Sequence, residues 1–218
     1  MMKVLGIACS PRKKGNTDIL LEQALKGARE DGAEVEFLPV RELDIKPCQG
    51  CSKCSKDGRC RIKDDMHIVY DKMVAADGII FSVPIYFWSM YGQAKVLMDR
   101  TFALRYPSLK LTNKVGGLIM AGTRHGFAAS ALPFWFFFIS NQMLPTEIVS
   151  GFATQKGGVR KDIYAMKASL ELGKWVGKLI ESRFKFPDVL EGQTFYNYVR
   201  SKHGLYLSPT ETDEDFNI

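Results

Sequence analysis

Gly78-Ile79-Ile80-Phe81-Ser82-Val83 is a six-residue run with no polar alternation, and Pro84 closes it. A strand with one wet face alternates apolar and polar residues. A strand covered by helices on both faces of a parallel sheet does not. Working outward from this run, Lys3 to Cys9 is a second short apolar strand, and Glu34 to Val40 alternates as another. Val115 to Ala121 and a stretch around Glu147 to Phe152 bring the strands to five. Helical spacing fills the gaps between them. Ile19, Leu20, Leu21, Ala24, Leu25 and Ala28 recur until Asp31-Gly32 stops the first helix, and Asp64-Asp65 cap one carrying Met66, Ile68, Val69, Met73 and Val74. A third helix runs through Ala94, Val96, Leu97 and Met98 to Leu104, an aromatic one follows Gly126, and the last spans about Lys161 to Ser182.

Strand and helix alternate five times, so the expected fold class is α/β, a doubly wound five-stranded parallel sheet in the order 2-1-3-4-5. Ligands of such sheets bind at the carboxyl ends of strands 1 and 3, where the strand order reverses. Residues 1–182 make this unit. Residues 183–218 lie outside the pattern, yet Phe184, Phe186, Phe195, Tyr196, Tyr198 and Tyr206 make them too aromatic for a plain tail. They are expected to pack as an arm on their own domain or on a sister subunit, with a disordered acidic end over Glu211 to Asp215.

Three loops leave strands 1, 3 and 4 at the ligand edge. The first, Ser10-Pro11-Arg12-Lys13-Lys14-Gly15-Asn16-Thr17, has neither the G-x-x-x-x-G-K-[ST] nor the G-x-G-x-x-G pattern. It sets the hydroxyls of Ser10 and Thr17, the amide of Asn16 and the guanidinium of Arg12 around a helix start. Unpaired N–H groups and the positive end of the helix dipole suit a phosphate dianion there. The second loop offers Pro84, Ile85, Tyr86, Phe87, Trp88 and Tyr91, flat apolar walls for a planar redox ring or, on the plainer reading, core filler. Gly122, Thr123, Arg124, His125 and Gly126 could close the far side, with His125 either a proton donor or simply surface. Asp99-Arg100 forms a structural ion pair or serves near the phosphate or a subunit contact. Cys9 is expected to be buried packing.

The loop after the second strand, residues 47–63, holds four of the five cysteines as Cys48-x2-Cys51-x2-Cys54-x5-Cys60. Three thiols within seven residues, and a fourth six further on, favour an iron-sulfur cluster. Zinc knuckles usually stand well apart, so zinc is the lesser reading, and metal-free thiols or disulfides are the third. The 218 residues carry a net charge of +6 with 46% hydrophobic content, an ordinary globular balance, and show no basic-aromatic interleaving of a nucleic-acid module. The most apolar run, Phe127 to Ile139, includes Phe134-Trp135-Phe136-Phe137-Phe138, is interrupted by Pro133 and is shorter than the roughly 20 residues a membrane helix needs, so a buried helix or a subunit contact is expected. With no signal-peptide pattern at Met1 to Ile7, a cytoplasmic protein without membrane or nucleic-acid partners is expected.

Gly6-Ile7-Ala8-Cys9-Ser10-Pro11-Arg12-x-x-Gly15-Asn16-Thr17 resembles the phosphate loop of the NAD(P)H-dependent FMN reductase superfamily. The cysteine spacing, Asp64-Asp65-Met66, Ala76 to Ile80, Pro84-Ile85-Tyr86 and Lys95-x3-Asp99-Arg100 resemble its iron-sulfur flavoprotein branch. The resemblance implies a flavodoxin-like fold, one FMN, one [4Fe-4S] cluster held by Cys48, Cys51, Cys54 and Cys60, and homodimers paired into homotetramers. It also implies that Ser10, Arg12, Asn16 and Thr17 hold the FMN phosphate and that Pro84, Ile85, Tyr86 and Trp88 line the ring. Gly122 and Thr123 match the third flavin loop loosely. Function then divides three ways. The first is a redox protein passing electrons between a ferredoxin-like one-electron donor and FMN through the cluster. The second is an NAD(P)H-dependent flavin or quinone reductase with a metal-free cysteine loop. The third is a zinc-stapled binding protein that is no enzyme.

Overall fold

The structure, a computed structural model, describes residues 1–203. In chain order it contains β1 (Lys3–Ala8), α1 (Asn16–Glu30), β2 (Glu34–Pro39), α2 (Cys54–Asp57), α3 (Met66–Ala75), β3 (Gly78–Tyr86), β4 (Ser89–Met90) and α4 (Gly92–Arg100). It continues with β5 (Val115–Gly122), α5 (Phe127–Ser140), β6 (Leu144–Phe152), α6 (Ile163–Glu181) and α7 (Phe195–His203). Five strands pair in parallel in the order β2-β1-β3-β5-β6, the expected 2-1-3-4-5.

The sixth strand, β4, is a departure from expectation. The stretch after Val83 does not leave the sheet at Pro84. It continues as β3 to Tyr86, turns at Phe87-Trp88 and returns antiparallel, pairing Ile85 with Met90 and Tyr86 with Ser89. The turn holds both Phe87 and Trp88 at positive φ, 39° and 69°, the left-handed pair that a two-residue hairpin requires.

The central strands bury both faces because helices cover both. Ile79, Phe81 and Val83 face a core with Met66, Val69, Met73, Ala94 and Leu97, while Ile80 faces Leu20, Leu21, Ala24, Leu172 and Val176. Neighbouring side chains on a strand point to opposite faces, so one apolar run feeds two cores. β2, at the sheet edge, alternates exposed and half-buried positions over Glu34 to Phe37, and only Leu38 is fully buried.

The aromatic run is divided by helical periodicity. Phe134, Phe137 and Phe138 pack on Phe81 with ring centroids 5.1, 5.6 and 6.1 Å away, while Leu132, Trp135, Phe136 and Ile139 face outward. Pro133 lies inside α5, in its second turn, and does not end it. Two helix boundaries move: the helix expected to reach Leu104 ends at Arg100 and passes into a 3-10 turn over Thr101–Arg105, and the last helix begins at Ile163. Among the described residues, no helix is long and apolar enough to cross a membrane.

After α6 the chain returns to the amino-terminal edge of the sheet. The Phe186 N–H donates to Asn113 (2.9 Å), and Gln142 Nε2 donates to the carbonyls of Leu190 (2.6 Å) and Gln193 (3.0 Å). The Leu109 N–H donates to the Gly192 carbonyl at 2.9 Å. This stretch of the arm therefore packs on its own domain. The acidic end, Glu211 to Asp215, lies outside the described residues.

Candidate functional site

The carboxyl edge of the sheet opens into a crevice of about 190 Å³. Ser10, Arg12, Asn16, Thr17, Pro84, Ile85, Tyr86, Gly122 and Thr123 all border it, so the three separate loops named from the sequence do meet. The first loop turns tightly. Ser10 Oγ accepts from the Arg12 N–H at 3.1 Å, and a Cβ on Gly15 would come within 3.1 Å of the Arg12 carbonyl and 3.4 Å of Ser10 Oγ. Ser82, within β3, donates its hydroxyl to the Thr17 carbonyl at 2.8 Å and so fixes the helix start to the sheet.

α1 begins with no side-chain cap, which leaves its first N–H groups to a ligand or to water. Thr17 Oγ1 is buried and has no hydrogen-bond partner among the described residues. An unsatisfied buried hydroxyl costs about 1–3 kcal/mol, so its presence at this helix start suits an anionic acceptor. Behind it, the buried Asp18 carboxylate accepts from the Lys14 N–H (2.9 Å) and pairs with Arg41 (3.1 Å). Burial pushes the Asp18 carboxyl up, against the opposing pull of Arg41 and the loop N–H groups. The residue braces the loop and does not face the crevice opening.

Asn16 borders the crevice, but its amide is engaged sideways. Nδ2 donates to the Gln155 carbonyl at 2.9 Å, and Oδ1 accepts from the Val159 N–H at 3.4 Å. Those contacts reveal a fourth wall that the sequence reading missed. Ala153, Thr154 and Lys156, in the loop leaving β6, line the crevice opposite Ser10 and Arg12. The available signal was topological, since every loop at the carboxyl ends of a wound sheet is a candidate.

Trp88 stands apart from the residues that border the crevice. The hairpin turn carries its indole onto His125, with ring centroids 4.5 Å apart and planes at 17°. Gly126 permits this approach. Its φ is +88°, and a Cβ there would lie 2.5 Å from the Trp88 backbone carbonyl. His125 is thus committed to an aromatic stack beside the crevice rather than pointing into it.

The cysteine loop leaves β2 on the same edge and has one turn of helix, α2. Cys48 and Cys51 are exposed, Cys54 and Cys60 half-buried, and none is in a disulfide. Among the described residues no three Cys, His, Asp or Glu side chains converge as a ligand set for a single ion. Partial burial pushes the Cys54 thiol up, and the nearby sulfurs of Cys60, Cys48 and Cys51 push it the same way, so the four are electrostatic neighbours. Cys9, by contrast, is buried in the core and pushed up to about 12 by that burial.

What fixes the loop is its root. Asp64 and Arg100, with side chains 0% and 1% exposed, form a two-pronged ion pair at 2.5 and 2.9 Å. Arg100 also donates to the Lys46 carbonyl at 2.7 Å, and Asp64 accepts from the N–H groups of Lys46 (2.9 Å) and Met66 (3.2 Å). Asp65 accepts from the Asp44 N–H at 2.8 Å. The helix cap thus comes from Asp64, while Asp65 ties the loop's two ends. Burial pushes the Asp64 carboxyl up, but Arg100 and the two N–H donors prevail and hold it at about 2. Of the readings open for Asp99-Arg100, the ion pair between the two neighbours does not form: Asp99 pairs with Lys95 at 2.5 Å, and Arg100 is remote from the phosphate loop in its contacts.

The donor set fits an iron-sulfur cluster chemically: four thiols with no histidine among them, on a loop rooted by a buried ion pair. A larger cavity of about 1110 Å³ borders this loop, walled by Cys60, Tyr70, Arg100 and Leu104.

Comparison with known proteins agrees with this geometry. Residues 2–155 match the family model described as NADPH-dependent FMN reductase. An iron-sulfur flavoprotein of Methanocaldococcus jannaschii is 36% identical over 190 residues, covering 83% of this chain and 98% of the relative. One from Archaeoglobus fulgidus is 33% identical over 196 residues, covering 83% and 96%. Among solved structures, a flavodoxin, WrbA-like protein from Agrobacterium tumefaciens superposes with a TM-score of 0.60 at 14% identity, covering 84% of this chain and 100% of that one. A flavodoxin-like sheet, a phosphate-suited crevice and these matches together make the protein an oxidoreductase that uses FMN: the chain belongs to the NADPH-dependent FMN reductase family, in its iron-sulfur flavoprotein branch.

Proposed function

We propose that the protein passes electrons between a one-electron donor, such as a ferredoxin, and FMN by way of a [4Fe-4S] cluster on Cys48, Cys51, Cys54 and Cys60. The observation that carries the flavin half is the unpartnered, buried Thr17 hydroxyl at an uncapped helix start, inside a crevice walled by the loops the family match covers. Ser10, Arg12 and Thr17 would hold the phosphate, with Lys156 adding charge from the fourth wall. Asn16 would act by joining the first loop to the last. The crevice is smaller than the roughly 300–1,000 Å³ of most cofactor sites, so it suits the phosphate and ribityl end. Pro84, Ile85, Tyr86, Gly122 and Thr123 then offer the inner rim to the ring, and Trp88, backed by His125, the outer. When bound, FMN takes up one or two electrons and the cluster one, so the pair converts between those currencies.

Both centres belong to residues 1–182, in a homodimer or homotetramer kept in a reducing cytoplasm. The test is anaerobic purification followed by iron, acid-labile sulfide and flavin analysis, with visible and EPR spectra before and after dithionite. About four irons, four sulfides and one FMN per chain are expected. Stopped-flow mixing should then show flavin reduction by reduced ferredoxin. Reduction by NADPH alone, in protein lacking iron, supports instead a reductase with a metal-free loop; about one zinc supports the stapled binding protein.

A further inference from the structure

Charge is not spread evenly over this chain. Residues 46–63 hold six of the 30 Lys and Arg residues but one of the 24 Asp and Glu, a local charge of +5 within a total of +6. The other 200 residues are almost balanced, at 24 against 23. The six cations, Lys46, Lys53, Lys56, Arg59, Arg61 and Lys63, are all exposed. Each of the four cysteines has one of them within two residues along the chain, no more than about 7 Å away at Cα. Nearby carboxylates do not absorb this charge. Asp57 pairs with Arg61 at 2.6 Å, Asp44 reaches Lys46 at 3.7 Å, and Asp64 is spent on the buried Arg100. Lys53, Lys56, Arg59 and Lys63 form no ion pair among the described residues.

We propose that the cysteine loop is the docking surface for an acidic one-electron donor protein, whose carboxylate-rich face Lys53, Lys56, Arg59 and Lys63 steer onto the exposed Cys48 and Cys51. This rests on the cluster reading above and adds where the donor binds and by what force. One electron leaves the donor, which is oxidised, and enters the cluster, which is reduced; no proton moves and no bond is made or broken. A cluster on four thiolates carries roughly two negative charges before that step, so a local +5 exceeds what the cluster itself can offset. The surplus draws in an anionic surface and raises the rate of encounter. A nucleic acid is the poorer occupant, because residues 46–63 include no aromatic side chain on which a base could stack. An anionic membrane is poorer still. Ile62 is the single large aliphatic residue of the stretch, and α2 is one turn long, so no amphipathic helix is there to insert.

The experiment is a calorimetric titration of reconstituted protein with an acidic ferredoxin in its oxidised form, which reads binding without electron transfer. Stopped-flow mixing with the same ferredoxin, reduced, gives the bimolecular rate constant. Every protein is first assayed for iron and sulfide. In the parent, affinity and rate constant should both fall about tenfold or more from roughly 0.1 to 1 M salt, as the screening length shrinks from about 10 to 3 Å. At low salt Lys53→Glu/Lys56→Glu should weaken both by about tenfold or more. Lys26→Glu/Lys167→Glu makes the same change in net charge on α1 and α6, and should hold both within about twofold. Should the loop pair lose iron, Lys53→Gln/Lys56→Gln replaces it with a smaller fall expected, and the salt response of the parent still decides. Iron-replete protein whose binding ignores salt, or loses as much in the control pair as in the loop pair, overturns the inference and leaves the cluster reading standing. So does tighter binding, at the same salt, of a DNA duplex than of the ferredoxin. Parent protein without iron or sulfide would instead sink the cluster reading, and this inference with it.

Discussion

The crevice bordered by Ser10 and Thr17 and the cysteine loop share one edge of the sheet, yet they are built in opposite ways. The crevice is walled by the ends of strands whose positions are set by both hydrophobic cores. Its main polar groups, Ser10 and Thr17, are already buried and aimed. The loop has one turn of helix over the stretch from Lys46 to Asp64, its first two cysteines are exposed, and its order comes from a clamp at the root. A site made from a sheet edge is organised by the fold. A site made from a long loop needs its anchor, and gains the rest from what it binds.

That contrast can be broken in five ways. The largest effect is expected from Cys51→Ala, which should abolish the iron-dependent absorption while leaving FMN affinity unchanged. A parallel loss of flavin in a direct titration would show the two regions to be one. Next, Asp64→Ala leaves the Arg100 cation buried without its partner and should cost about 3–5 kcal/mol in chemical denaturation. The same pair predicts an acid limb. The Asp64 carboxyl is held at about 2, below the roughly 3.9 of an unfolded chain. Its contribution is therefore complete above about pH 4 and lost as pH falls towards 2, on the order of 2–3 kcal/mol. Denaturation curves from pH 5 to pH 2 should show a steeper limb in the parent than in Asp64→Asn/Arg100→Gln, by about that amount.

On the crevice side the effects are smaller. Arg12→Ala removes charge-assisted hydrogen bonds worth about 1.5–3 kcal/mol and should weaken FMN binding about 10- to 150-fold, with iron content intact. Unchanged affinity in a fluorescence titration would remove Arg12 from the phosphate site. Thr17→Val sharpens the comparison most finely. It deletes a buried hydroxyl that has no partner among the described residues, so the flavin-free fold should be as stable or slightly more so. FMN binding should still weaken about tenfold, roughly 1.4 kcal/mol. Loss of stability instead would mean that the hydroxyl serves the fold.

Much of this was legible in the chain because its signals are local. An unbroken apolar run such as Ile79 to Val83 announces a strand covered on both faces, and the spacing of Leu20, Leu21 and Ala24 announces the helix that covers one of them. Less legible were features that depend on which distant segment lies opposite. Nothing near Phe87 marks a hairpin, since neither turn residue is the glycine or asparagine that usually takes a left-handed φ. Nothing in Asp99-Arg100 reveals that the arginine reaches past its neighbour to Asp64, on a segment 36 residues earlier.

The sequence by itself determined the order of strands and helices, the four-thiol donor set and the loops eligible to hold a phosphate. Periodicity and spacing are properties of neighbours along the chain. Only the tertiary structure decided that the β6 loop closes the crevice, that Trp88 rests on His125, and that Arg100 pairs with Asp64 at the root of the cysteine loop. Those are contacts between segments far apart in the chain, and their partners are chosen when the two cores close around the sheet.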